Sequence, residues 1–169
     1  MSDPVPTPAA RALQRHDAVA AADGVFRITS TAFDATVTAA QAGGTIRYEV
    51  TVTVPSLEAA TGDHVGEAVA EGWFETFERR LADAPKATRA PLELERLDVE
   101  RQGLDVVVTF AFEWDNADRA VDVAKTLVEY VEGTYVEGAI PGYTYEAPVA
   151  DLLSEAETGG DGARGGTPL

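Results

Sequence analysis

The hydrophobic pattern is strongest in residues 104–114 of the chain. Apolar side chains alternate along one side of this segment, at Leu104, Val106, Val108, Phe110, Phe112 and Trp114. Alternation with a period of two residues is typical of a β-strand with one buried face. The other side carries Val107 and Ala111 among polar residues, so that neither face is strongly polar in its middle. We therefore predict an interior strand of a sheet.

Four other segments have strand patterns: 25–29, 33–39, 45–54 and 92–102. Residues 45–54 alternate most clearly, with Thr, Arg and Glu facing water, and the glycine pair before them predicts a hairpin turn. In residues 92–102 the apolar positions change parity, which predicts a bulge near Glu95 and Arg96. A sheet with one face exposed to water is typical of antiparallel pairing, so we predict an antiparallel sheet.

Four segments have helix patterns, with boundaries set by capping residues and glycines: 8–22, 64–84, 117–132 and 148–157. Thr7 and Pro8 form a start signal for the first helix, and Asp63 is a candidate cap for the second. The two long helices each carry an apolar stripe at spacings of three and four residues. Such stripes predict that both helices pack on the sheet.

Together these elements predict an α+β fold, a two-layer sandwich with an antiparallel sheet of 4–5 strands and two long helices on one face. The predicted order, α-β-β-β-α-β-β-α, resembles that of the type III secretion chaperone-like fold. We predict a flexible lead-in over residues 1–6, a single domain over residues 7–157 and a disordered tail over residues 158–169, which is rich in glycine.

The charge balance points to an unusual environment. The chain of 169 residues has 29 acidic and 13 basic residues, a net charge of −16. Mutual repulsion of so many carboxylates destabilises a compact chain at low salt, and molar salt screens it because the Debye length falls to about 3 Å. The composition therefore predicts a halophilic protein. Without cysteine, signal-peptide pattern or an apolar run of membrane-spanning length, we expect a soluble, cytoplasmic protein with no membrane partner.

Two stretches carry a resemblance to a known family. Residues 71–85, EGWFETFERRLADAP, and residues 132–145, EGTYVEGAIPGYTY, are similar to a family of small uncharacterised haloarchaeal proteins, a domain of unknown function. Membership would imply a halophilic and cytoplasmic protein, and it would imply no particular mechanism.

Catalytic, cofactor-binding and metal-binding signatures are lacking in the sequence. The two histidines, His16 and His64, have no set of partner ligands, and no serine lies in G-x-S-x-G. We therefore predict no catalytic, cofactor or metal residues. Tyrosines concentrate near the glycine-rich segment 133–145, and tyrosine offers contact area at low entropy cost. The candidate interaction surface consists of Tyr130, Tyr135, Tyr143, Tyr145, Val107 and Thr109.

Three hypotheses for function follow from these patterns. The first is a non-enzymatic protein-interaction module, working as a homodimer or with a protein partner. The alternative is a small-ligand-binding protein or enzyme with a pocket under the 133–145 loop, lined by Val107, Thr109, Tyr135 and Tyr145. Nucleic-acid binding ranks last, because the chain is acidic and has no basic cluster longer than Arg79 and Arg80.

Overall fold

A computed structural model describes residues 5–22, 24–89 and 91–165, with the backbone alone for residues 158–165. The strands are β1 (Val19–Ala22), β2 (Val25–Ile28), β3 (Asp34–Ala42), β4 (Thr45–Pro55), β5 (Arg96–Gln102) and β6 (Asp105–Trp114). The α-helices are α1 (Thr7–Arg15), α2 (Leu57–Ala60), α3 (Glu67–Leu81), α4 (Ala117–Glu137) and α5 (Val149–Gly165). A short 3₁₀-helix, Ala84–Ala87, follows α3.

The strands form one sheet in the order β1-β2-β3-β4-β6-β5, and every neighbouring pair is antiparallel. β6 lies between β4 and β5, which confirms the prediction of an interior strand. The predicted count of 4–5 strands is wrong, because β1 adds a sixth strand at one edge. Because β1 lies between α1 and β2, the observed order of elements also differs from the predicted order α-β-β-β-α-β-β-α.

The helices cover one face of the sheet. Side chains that β4 and β6 direct to this face, such as Val50, Val52, Phe110 and Phe112, are completely buried. α4 packs on β4 and β6, and both α1 and α3 pack against α4. Alternating burial along β4, with every second residue buried, shows that the period-two pattern of the sequence follows the two faces.

The predicted first helix extends too far. α1 ends at Arg15, and the chain then turns so that residues 19–22 pair with β2 as an edge strand. Thr7 is the first helical residue and Pro6 occupies the N-cap position without a side-chain hydrogen bond, so the predicted cap at Thr7 is wrong. An alanine-rich segment has high helix propensity, and here pairing along β2 overrides it.

One predicted feature near β5 agrees with the structure, and one at α3 differs from it. The N–H of Glu95 donates to the carbonyl of Ala111 at 2.8 Å, and Arg96 is the register partner of the same Ala111, so two residues face one as in the predicted bulge. α3 begins at Glu67 with Gly66 as its N-cap, so Asp63 does not cap it. Residues 92 and 94 still pack on the core, which accounts for their apolar character without a strand.

α4 continues five residues beyond the predicted end at 132, to Glu137. It thus includes Gly133 and Tyr135, which were predicted to lie in a loop. The last helix, α5, extends past residue 157 to Gly165. The disorder predicted for 158–169 and the flexibility predicted for 1–6 stay predictions, and residues 1–4 and 166–169 lie outside the described residues. Within the described chain, no helix has the length and apolarity needed to cross a membrane.

Candidate interaction surface

The structure separates the six residues of the predicted interaction surface. Tyr135 is buried in the core, where its ring makes edge-on contacts with Phe33, Trp73 and Phe77 at centroid distances of 4.9, 5.6 and 5.9 Å. Its hydroxyl donates to the carbonyl of Pro55 at 3.0 Å. Burial raises the pKa of Tyr135 well above its ordinary value. Tyr135 therefore stabilises the fold and is inaccessible to a partner.

Two other tyrosines also use their hydroxyls inside the molecule. Tyr130 donates to the carbonyl of Arg80 at 3.2 Å, which ties α4 to α3. Tyr145 accepts from the backbone N–H of Ile140 at 2.9 Å and donates to the carbonyl of the same residue at 2.7 Å. These bonds close the loop 138–146. Tyr143 is partly exposed, and its part in an interaction surface stays a prediction.

The loop is also anchored to the segment that follows α2. Thr61 donates its hydroxyl to the carbonyl of Thr144 at 2.7 Å, and the N–H of Thr144 donates to the Asp63 carboxylate at 2.6 Å. The N–H of Glu146 donates to the carbonyl of Ala60 at 2.8 Å. The carboxylate that the sequence suggested as a helix cap therefore holds the loop in place. A loop with this many anchors is poorly suited to reshaping around a partner.

A groove of about 390 Å³ lies between α3, the end of α4 and the start of this loop. Its lining includes Trp73, Phe77, Arg80 and Ile140. The four residues predicted to line one pocket, Val107, Thr109, Tyr135 and Tyr145, do not lie together. Val107 and Thr109 alternate with the buried residues of β6 and so lie on the opposite face of the sheet.

Val107 and Thr109 belong to the open face, which consists of the residues of β2–β6 that point away from the helices. The middle of this face carries no charge. Thr51 of β4 lies directly between Thr36 of β3 and Thr109 of β6, and Thr53 pairs with Val107. We call these five partly buried residues, Thr36, Thr51, Thr53, Val107 and Thr109, the uncharged centre.

Charged residues surround the uncharged centre, and most of them are paired. Arg27 binds Asp34 on the β2–β3 side, and Arg96 binds Asp98 on β5. On β4, Arg47 lies 3.6 Å from the Glu49 carboxylate. These exposed pairs each contribute little to stability. The three arginines of the rim are therefore paired, whereas Glu100 and Glu113 on the same face leave the rim with more carboxylates than basic groups.

A second ion pair of Arg47 spans β6. Its guanidinium binds the Glu95 carboxylate at 2.8 Å across Ala111, which is completely buried on the open face. A protonated Glu113 can donate to the neighbouring Glu95 carboxylate, and this interaction raises the pKa of Glu113. The bond from Arg47 lowers the pKa of Glu95.

The open face is large enough for a protein interface. With strands about 4.8 Å apart and a rise of about 3.4 Å per residue, the sheet covers on the order of 25 Å by 30 Å. That is close to the ~800 Å² that each partner contributes to a standard interface. Its uncharged middle and charged periphery match the usual anatomy of such interfaces, in which charged residues are depleted at the core.

The histidines lie apart from this face. The Nδ1 atom of His16 accepts the N–H of Ala18 at 3.1 Å, so the other ring nitrogen, Nε2, donates to the Asp122 carboxylate at 2.8 Å. This bond joins the end of α1 to α4, and no local pattern indicates it because the two residues are 106 positions apart. The described residues contain no group of three or more acidic or histidine side chains that could hold a metal ion.

The fold and this surface can be set against known proteins. No curated protein and no solved structure matches the chain. The model of a family of unknown function, DUF5813, matches residues 14–155, which include every strand and most of the helical residues. Because this match covers well over half of the chain, the protein belongs to the DUF5813 family.

Proposed function

We propose that the protein is a non-enzymatic interaction module that pairs with a second copy of itself through the open face of its sheet. The observation that carries the proposal is the uncharged centre. In a chain with a net charge of −16, five neighbouring positions on an exposed sheet hold four threonines and one valine. Threonine and valine are favoured in strands, and here they also keep the middle free of the like-charge repulsion that carboxylates would impose on a second copy.

A second copy suits this surface better than an unrelated acidic or basic protein. Two identical faces related by a two-fold axis would place neutral residues against neutral residues, and the carboxylates would stay at the periphery. Packed sheets align at about 30° and interdigitate side chains of this size. Arg27, Arg47 and Arg96 already have intramolecular partners, so these arginines of the rim are not free for an acidic partner.

Light scattering coupled to size-exclusion chromatography in 2 M KCl tests the pairing. We expect twice the chain mass of 17.9 kDa for the natural protein and a monomer for Thr109→Arg, which places a charge in the uncharged centre. Ser154→Arg on exposed α5 is the matched control and should stay dimeric. A monomeric natural protein, or a dimer that Thr109→Arg leaves intact, would contradict the proposal.

We further propose that the protein works in a cytoplasm with molar salt. The support is the excess of acidic over basic residues, which makes the compact state self-repelling until salt screens it. The midpoint of thermal unfolding should rise steeply between 0.1 M and 2 M KCl. Sucrose, which favours the compact state without screening charge, is the control and should give a smaller rise. Equal stability at both salt concentrations would refute halophilic adaptation.

The alternative function, small-ligand binding, has one observation in its favour: the groove between α3 and Ile140, with the guanidinium of Arg80 among its lining groups. An added Cβ at Gly72 in this groove meets nothing within 4 Å, so Gly72→Leu should fill the groove without disturbing the helix. Binding of the apolar anion anilinonaphthalene sulfonate should then weaken. Ala68→Leu, on the exposed side of the same helix, is the control, and equal binding by both variants would exclude the groove.

A further inference from the structure

A different cavity lies where β6 passes into α4. It has a volume of about 590 Å³, within the range of small-molecule sites. The walls are Trp114 at the end of β6, Arg89 in the loop before β5, and a row of α4 side chains that includes Arg119, Val123 and Thr126. Positions 119, 123 and 126 recur at spacings of four and three, so they share one helix face.

The charge in this cavity has the opposite sign to that of the whole protein. Three of its lining residues, Arg89, Arg119 and Lys125, are basic, whereas the entire chain has only 13 basic residues against 29 acidic ones. Its one acidic lining residue, Asp122, is bound to His16 at 2.8 Å. An ordinary solvated surface of this chain would be expected to carry an excess of carboxylates.

The two arginines are available to a ligand. Among the residues that the structure describes, neither Arg89 nor Arg119 has a carboxylate within 4.0 Å, and both are exposed. Lys125 differs, because Glu129 binds it at 3.0 Å and compensates its charge. A pair of uncompensated guanidinium groups favours an anion with several oxygens, since each group can donate two parallel hydrogen bonds.

Trp114 adds a planar apolar surface beside these charges. Its indole is only partly buried, although it lies on the helix-covered side of β6, whose other residues on that side are completely buried. Indole rings stack on the faces of nucleobases and other aromatic ligands. The cavity thus combines an anion-binding end with a stacking surface.

We propose that this cavity binds a mononucleotide, with the phosphate on Arg89 and Arg119 and the base stacked on Trp114. The site lies on the helix-covered side of the sheet, whereas the proposed dimer uses the open face, so that either proposal can fail alone. A phosphate monoester carries a charge of about −1.5 to −2 near neutral pH, which the two guanidinium groups can balance. The uncharged ribose would face the polar wall at Thr126.

Isothermal titration calorimetry of the full chain in 1 M KCl with adenosine 5′-monophosphate tests the site. Two further titrations separate its halves: inorganic phosphate offers the anion alone, and adenosine offers the base alone. We expect the monophosphate to bind at least tenfold more tightly than either fragment. Equal binding of inorganic phosphate would overturn the stacking half, equal binding of adenosine would overturn the anion half, and no heat with the monophosphate would overturn the site.

Two variants locate the binding. Arg119→Gln should weaken monophosphate binding about tenfold or more, since a charged hydrogen bond of about 1.5 kcal/mol corresponds to roughly that factor. Arg11→Gln on α1 changes the net charge equally at another exposed arginine and should leave binding unchanged. Equal weakening by both variants would show a general charge effect and refute the site. Circular dichroism confirms that each variant is folded.

Tryptophan fluorescence gives an independent reading of the stacking. The chain has two tryptophans, and Trp73 is buried in the core. Quenching by the monophosphate should therefore come from Trp114 and should disappear in Trp114→Phe. Quenching that persists in this variant would contradict the proposed stacking.

Discussion

The two faces of the sheet are made by the same strands and have opposite chemistry. On the helix-covered face, β6 places Val106, Val108, Phe110 and Phe112 in complete burial. On the open face, the same strand carries Val107 and Thr109 in partial burial. Period-two alternation is enough to build both surfaces from one segment. The helix-covered face is closed to water, whereas the open face is partly exposed and has no charged side chain in its middle.

This comparison explains how an acidic protein keeps a surface that a second copy can approach. On the helix-covered face, burial of apolar area supplies the free energy of folding. On the open face, Arg27, Arg47 and Arg96 form ion pairs with carboxylates near the centre, although Glu100 and Glu113 leave the rim acidic overall. The rest of the acidic residues are spread over the helices and loops, where salt can screen them.

The largest predicted effect separates the two faces directly. Phe110→Ala removes a completely buried ring from the core, and we expect a loss of about 3–5 kcal/mol in the free energy of unfolding. Thr109→Ala, one residue away on the open face, should change it by about 0.5 kcal/mol or less. Urea unfolding of the monomer at low protein concentration in 2 M KCl measures both. Similar losses of unfolding free energy in the two variants would mean that the open face is packed as tightly as the core.

Much of this two-faced sheet could be predicted from the sequence. Residues 45–54 alternate without interruption, and they form β4 with every second residue buried. β1 could not be predicted, because Val19–Ala22 has three alanines in a row and no alternation. It becomes a strand only because β2 offers a free edge, which is a long-range effect that local pattern does not contain.

The candidate site is harder to predict than the fold, because a glycine inside a helix resembles a helix end in the sequence. Gly133 suggested the end of a helix, whereas α4 continues since Val131, Thr134 and Tyr135 are buried on it. One glycine in a helix costs about 1 kcal/mol, less than the burial of one large side chain contributes. The stripe at Leu127, Val131 and Thr134, with spacings of four and three, was the signal that placed these residues in the core.

A second prediction concerns alkaline pH and the helix-covered face. Burial raises the pKa of Tyr135, and burial with the nearby Asp118 charge raises that of Tyr48. The unfolded value is about 10, so both groups contribute stability that is complete below that pH and is lost as pH rises towards the folded values. The loss should reach at most about 1.4 kcal/mol per pH unit for each group. Flat stability up to pH 11.5 would contradict this.

The same two tyrosines differ in their hydrogen bonds. The Tyr48 hydroxyl is buried without a hydrogen-bond partner in the described residues, whereas that of Tyr135 donates to Pro55. Tyr135→Phe should therefore cost about 1 kcal/mol, because it leaves a carbonyl unpaired. Tyr48→Phe should cost nothing or stabilise by up to about 1 kcal/mol. Urea unfolding at pH 7 compares them, and an equal cost would show that Tyr48 has a partner in solution.

The smallest predicted effect tests the rim of the open face. Glu113 and Glu95 lie beside the same Arg47 guanidinium, and their carboxylates repel each other when both are ionised. Because the raised pKa of Glu113 lies above its unfolded value, its bond to Glu95 stabilises the fold at acidic pH and is lost as pH rises through the folded pKa. The lowered pKa of Glu95 has the opposite effect: its bond to Arg47 contributes above the unfolded pKa and is lost as pH falls.

Glu113→Gln should consequently raise the midpoint of thermal unfolding slightly at pH 7, because the amide can donate to Glu95 without adding charge. The gain should shrink as pH falls through the raised pKa of Glu113, because the protonated natural side chain donates in the same way. Glu49→Gln is the control, since it removes a carboxylate 3.6 Å from the same guanidinium and should give no gain. Scanning calorimetry in 0.5 M KCl, where screening is incomplete, measures the difference. A lower midpoint for Glu113→Gln at pH 7 would show that the second carboxylate is needed to hold Arg47 across β6, and the rim would then be a stabilising network.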